Sequence, residues 1–230
     1  MALKEHTTQS GIQSVASGNF GIDRTAFRAA IVLALVALCA VAIWPLQAAA
    51  LNQEGGLIET ISAAALFTAG VVALVRYRGV QRLYIGFVLL LLAERELEAE
   101  VYAEDSLPFL LLNGLDQLLD MTLVRVVLAV VILGGFVWHG IPNAWRALKL
   151  RAPFLLVFFL AGFSAFVAQV LEEISSAFDQ GMSEIMIARL FALEETLEMF
   201  FSIGILAAVL IGWPKTKTEE TSNDQQPHSR

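Results

Sequence analysis

The chain has 230 residues, of which 57% are hydrophobic, with a mean hydropathy of +0.68 and a formal net charge of −7. Soluble domains are roughly 45–50% apolar, so this composition excludes an ordinary soluble fold and points to an all-α, polytopic membrane helix bundle. A single cysteine, Cys39, excludes a disulfide framework within one chain, and three histidines, His6, His139 and His228, exclude histidine-rich metal chemistry.

Residues 1–26 are polar and read as a flexible cytoplasmic tail. Residues 27–213 form the transmembrane domain, with six predicted spans. The first runs from about Phe27 to Ala50, with Trp44-Pro45 near its end as an interfacial aromatic followed by a helix breaker. Its basic flank and the "LQAAA" run also fit a secretory signal cleaved near Ala48 and Ala50, which would leave five spans. The second span covers about Leu57 to Val75. The third starts near Leu83 and runs into the acidic stretch "AERELEAEVYAED" (93–105). "SLPFLLLNGLDQLLD" (106–120), broken by Pro108 and Gly114, predicts a short interfacial or re-entrant helix. The fourth span is about Met121 to Ile141, closed by "GIPNAW"; the fifth is about Pro153 to Leu171. An acidic linker, 172–188, leads to the sixth, about Ala192 to Trp213. Residues 214–230 form a second flexible cytoplasmic tail.

Six spans put both termini on one side. With the tails and the 76–82 and 146–151 loops inside, 12 of the 15 Lys and Arg are cytoplasmic, and only Arg95, Arg125 and Arg189 lie outside. The positive-inside rule therefore predicts a bacterial inner (plasma) membrane protein with cytoplasmic termini. In this orientation 17 of the 22 acids fall on the outer side, although acids do not obey that rule.

The acids sit at the outer ends of four spans: Glu54 and Glu59; Glu94, Glu96, Glu98 and Glu100; Glu172 and Glu173; Glu194, Glu195 and Glu198. Helical spacing places Glu94 with Glu98, and Glu194 with Glu198, one turn apart. Glu59 and Glu198 run deepest into apolar sequence, where a lipid-facing carboxylate costs about 2.5–3.5 kcal/mol. Inward-facing candidates are thus Glu59, Glu94, Glu98, Glu173, Glu194 and Glu198, while Glu96, Glu100, Glu104 and Asp105 read as a solvated helix end.

Three arrangements can hold such acids. Arg95, Arg125 and Arg189 are candidate ion-pair partners. Carboxylates without His or Cys also suit a hard divalent cation, Ca, Mg or Mn, in which case the six candidates are metal ligands and no other cofactor is implied. Alternatively, crowded carboxylates share protons. The leading expectation is a carboxylate-lined site in the outer half of the bundle that binds a divalent cation or protons, in transport, sensing or assembly. The alternative is a non-catalytic scaffold or accessory subunit whose acids form ion pairs or dock a basic partner. A metal-dependent membrane hydrolase ranks third, because no nucleophile or base is separable from the acids and no catalytic residue can be named. The lipid bilayer is the expected partner. His139 in "VWHGIP" reads as an interfacial histidine, and no nucleic-acid face or phosphate-binding loop is visible.

"LAERELEAE" and "FALEETLEMF" resemble a group of uncharacterised proteobacterial multi-pass membrane proteins. That group carries an Arg-Glu-Leu/Met-Asp/Glu step closing one helix and a Glu-Glu-x-Leu-Glu step opening a later one. The matching residues are Arg95, Glu96, Leu97 and Glu98, then Glu194, Glu195, Leu197 and Glu198, with "EGGLIETISA" (Glu54, Glu59) also fitting. The resemblance covers roughly residues 50–213 and implies no established activity. Related sequences often have His after the first motif; here Glu100, Val101 and Tyr102 follow, which argues against a histidine-assisted metal site. Membrane amide hydrolases of the alkaline ceramidase type hold zinc with histidines that this chain lacks.

Overall fold

A computed structural model describes residues 24–51, 55–77, 79, 81–97, 99–178 and 181–212, and these are helical throughout with short connections. Residues 1–23 of the first predicted tail, the whole second tail, Glu54 and Glu98 lie outside the described residues, and Arg24, Thr25 and Ala26 already belong to the first helix. Helix α1 spans Arg24–Ile43, α2 Pro45–Leu51, α3 Leu57–Arg76 and α4 Gln81–Arg95. A 3-10 turn at Ala99–Val101 precedes α5 (Leu107–Asp120), α6 (Thr122–Gly135), a π turn at Phe136–Gly140 and α7 (Ile141–Lys149). Helices α8 (Pro153–Phe178) and α9 (Glu184–Gly212) complete the described fold.

Among the described residues, five helical segments are long and apolar enough to cross a membrane: Thr25–Ile43, Leu57–Arg76, Thr122–Lys149, Pro153–Phe178 and Glu184–Gly212. The six-span expectation differs at α4. Its 15 residues rise only about 22 Å, short of the roughly 30 Å of a hydrocarbon core.

Several span boundaries also move, each for a local reason. The first span breaks at Trp44 instead of running to Ala50. Pro45 brings no N–H to the helix and starts the short α2 at its first position. "GIPNAW" does not close the fourth span. A π turn, in which the N–H of Ile141 reaches the carbonyl of Phe136, absorbs the backbone mismatch ahead of Pro142, and the helix continues to Lys149. Most of the linker expected at 172–188 is helical, because Glu is a good helix former: α8 runs through Glu172 and Glu173 to Phe178, and α9 starts at Glu184. The short helix expected at 106–120 forms as α5. Ser106 caps it by accepting from the Phe109 N–H at 3.3 Å, and Leu107, Leu110, Leu111 and Leu118 leave one apolar stripe uncovered.

The core sits where α3, α4, α8 and α9 meet. Leu66, Ala69 and Ala73 of α3 are buried with Leu89 and Ala93 of α4, Ala161 of α8 and Ile205 of α9. Small residues let the backbones approach, which is how helices associate when lipid removes the hydrophobic drive between them. The contact of Gly204 with Ala161 is close enough that a β-carbon at 204 would come within 2.7 Å of the Ala161 β-carbon. Buried hydroxyls are satisfied along their own helix: Thr196 donates to the Ala192 carbonyl at 2.7 Å and Ser202 to that of Glu198 at 3.0 Å.

Register follows from the same contacts. Gly70 lies against Leu90, and Gly86 against Leu74, so α3 and α4 are antiparallel. This pairing sets Arg95 opposite about Ala65, roughly two turns inside the start of α3. The turn at Ala99–Val101 then covers the rest of α3's end, with Val101 packed on Gly55. At the opposite end, the Tyr77 hydroxyl donates to the Val209 carbonyl at 3.1 Å, so α9 runs parallel to α3.

Candidate functional site

The early stop of α4 creates the site. Glu96 follows the last residue of α4 in a non-helical step, beside the first turns of α3 and the fourth turn of α9. Glu59 projects from the first turn of α3, and its Oε2 accepts the Gly55 N–H at 2.7 Å. That bond resembles a capping box displaced by one residue, and it needs Gly55 in its left-handed conformation (φ 71°). Glu59 thus satisfies a helix N-terminus while its charge remains in the site.

Helix α9 supplies Glu194, Glu195 and Glu198, all partly buried. Glu195 lies within electrostatic reach of Glu198, Glu59, Glu194 and Glu96. Glu198 lies within reach of Arg95, Glu172 and Glu59, and Glu194 within reach of Glu172 and Glu198. The α8–α9 register accounts for the last pair, since the Gly204–Ala161 contact brings Glu172 level with Glu194. Glu172 also accepts a hydrogen bond from Gln169 on its own helix. Arg95 is the cation whose charge reaches the cluster, opposing both Glu96 and Glu198.

Glu96 carries the clearest electrostatic signature outside the spanning helices. Burial pushes its carboxyl from 4.5 up to about 7; the charges of Glu198 and Glu59 push the same way, and Arg95 only partly opposes them. At neutral pH this carboxyl is about half protonated.

The sequence-derived candidates divide. Glu59, Glu194 and Glu198 come together. Glu94 does not join them: it turns to the other side of α4 and approaches Asp116 of α5. There it lines a groove of 610 Å³ with Leu91, Asp116, Leu119, Asp120 and Arg125. Glu172 and Glu173 are both exposed on α8, about 100° of helix apart, and it is the charge of Glu172 that reaches Glu194 and Glu198. Glu98 lies outside the described residues. Among the described residues, no three acids are arranged to hold one metal ion.

The arginines divide as well. Arg125 pairs with Asp120, and its Nε donates to the Leu119 carbonyl at 2.9 Å, so it closes the junction of α5 and α6. Arg95 serves the acid cluster. Arg189 is partly buried, with Nε making no hydrogen bond among the described residues, and its charge is not among those acting on Glu194, Glu195 or Glu198.

Sequence reasoning missed Glu96 and Glu195. Glu96 read as solvated because the helix was expected to continue past it. A signal for Glu195 was present, since Glu195 and Glu198 are three residues apart and share a face as fully as Glu194 and Glu198 do. Comparison of the chain with family models, with curated proteins and with solved structures finds no match.

Proposed function

We propose that this is a six-crossing inner-membrane protein whose outer end carries a proton-binding carboxylate recess formed by Glu96, Glu194, Glu195 and Glu198 beside Glu59, serving proton-coupled transport, sensing or assembly. The observation that carries this reading is the excess of carboxylates over cations in one partly buried site. Among the described residues, four acids act on Glu195 and Arg95 is the cation within reach of the cluster. Like charges drawn out of water hold protons to relieve their repulsion.

Membrane physics supports the short α4 as the third crossing. Its end lies inside the depth of α3, and non-helical backbone is tolerated there only when it is covered by protein or lines a water-filled cavity. The partly buried acids of α3 and α9 beside Glu96 would line such a cavity, so α4 would have only to reach it. With α4 counted, both termini fall on the side of the basic loops, in agreement with the positive-inside rule. The two steps shared with the proteobacterial group, Arg95-Glu96 and Glu194-Glu195-x-Leu197-Glu198, are components of this one site, which favours membership of that group.

A divalent cation, Ca, Mg or Mn, is the second reading, favoured by the oxygen-only donor set. The experiment that separates the two is proton uptake after a pH jump, measured on protein in lipid nanodiscs, alongside calorimetric titration with Ca, Mg and Mn. The proton reading expects uptake around neutral pH that falls in Glu195→Gln/Glu198→Gln. Saturable cation binding lost in that variant would favour the metal reading. Neither signal would leave the scaffold reading, with acids that pair with Arg or dock a basic partner.

A further inference from the structure

We infer that the end of the bundle opposite the acids carries a binding site for anionic phospholipid headgroups, formed by Arg146, Lys149 and Arg151 where α7 turns into α8. The α6–α7 rod, Thr122–Lys149, has 28 residues and is about 42 Å long, against a hydrocarbon core of roughly 30 Å. Its final two turns therefore project into the headgroup layer. They are amphipathic in the way that layer favours. Trp145 and Leu150 are exposed, Leu150 at 80%, beside three exposed cations within six residues. The Lys149 ammonium lies 5.6 Å from the centre of the Trp145 ring, so cation and aromatic form one surface. None of the three cations has a carboxylate partner among the described residues. Their charge is left for an external anion.

The backbone gives an independent indication. Helix α7 ends in a Schellman turn: the Ala152 N–H donates to the Ala147 carbonyl at 3.0 Å and the Arg151 N–H to that of Leu148 at 3.1 Å. The left-handed position of such a turn normally takes glycine, yet here it is Arg151, with φ 48°. Glycine would fit the turn better, so the arginine keeps a strained conformation in return for a guanidinium at this point of the surface. A phosphodiester in the headgroup layer matches that guanidinium and its two neighbouring cations in both charge and depth.

The experiment compares the full-length protein in nanodiscs of neutral phosphatidylcholine with nanodiscs containing phosphatidylglycerol, reading thermal melting and, by native mass spectrometry, retained lipid. Wild type should melt higher in the anionic discs and retain phosphatidylglycerol. Retention should fall by roughly fivefold for each cation removed in an Arg146→Gln, Lys149→Gln, Arg151→Gln series. The Arg151→Gly variant keeps the turn and relieves its strain. It should melt at or above wild type in neutral discs yet gain less from the anionic lipid. Wild type indifferent to lipid charge, a triple variant stabilised by phosphatidylglycerol as much as wild type, or full stabilisation by inorganic phosphate in neutral discs would each overturn the assignment.

Discussion

Two acidic regions lie on either side of α4: one sets the Glu94–Asp116 approach beside an Asp120–Arg125 pair, and the other crowds five acids together. In the groove toward α5 and α6, Asp120 has its own arginine: Arg125 binds its carboxylate and also the Leu119 carbonyl, closing an exposed helix junction. In the recess toward α3 and α9, Glu59, Glu96, Glu194, Glu195 and Glu198 have Arg95 to answer them. A paired surface charge is a structural fitting of small energetic weight. A crowd of half-buried acids with too few cations carries a cost that protonation removes, and this makes the second region responsive to pH.

The largest effect expected on this contrast comes from separating the helices that assemble the recess. In Gly204→Val the added β-carbon meets Ala161 on α8, including its backbone, so α8 must shift and carry Glu172 away from Glu194. Overpacking of this kind costs about 1–3 kcal/mol, measurable as reduced resistance to unfolding in mixed micelles. Next is Arg95→Ala, which removes the cation opposing Glu96 and Glu198. It should destabilise the protein by roughly 1 kcal/mol above neutral pH, with most of the loss recovered under mildly acidic conditions, where the acids neutralise themselves. Arg125→Ala marks the other side of the comparison. Its partner is 74% exposed, so the loss should be under about 0.5 kcal/mol and nearly independent of pH between about 6 and 8. If Arg125→Ala proved as costly and as pH-sensitive as Arg95→Ala, the distinction between the two regions would fail.

The pH dependence has a definite sign. Glu96 has a folded value of about 7 against an ordinary 4.5, so the folded state holds the proton more tightly than the unfolded chain. Its contribution is fully present below about 4.5 and is lost as pH rises through about 7. Melting temperature should therefore fall between those limits, and Glu96→Gln, which mimics the neutral acid, should flatten part of the fall.

Much of this architecture was legible in the sequence, because apolar length and period carry most of the information in a membrane helix. The helical character of the domain, the short helix α5 and the concentration of acids at helix ends all follow from residue type. The limits of α4 and α8 were not legible. Hydropathy marks where a helix leaves lipid, whereas the chain ends a helix where backbone bonding fails, at Arg95 and at Phe178. This distinction decided the site. With α4 read as continuing, Glu94 and Glu98 seemed the inward pair; with α4 ending at Arg95, Glu96 takes the inward position while Glu94 faces Asp116. Helix–helix register was also out of reach, since it is set by contacts such as Gly70 with Leu90 and Gly204 with Ala161 that no single stretch encodes.

The most direct test of the central claim, that the recess holds protons near neutral pH, is an infrared titration of carboxyl protonation in wild type, Glu96→Gln and Asp120→Asn. Wild type should show a protonated carboxyl band that fades with a midpoint near pH 7; Glu96→Gln should lose part of that band and Asp120→Asn should keep all of it. A wild-type band already gone by about pH 5.5, or one unchanged in Glu96→Gln, would contradict the account.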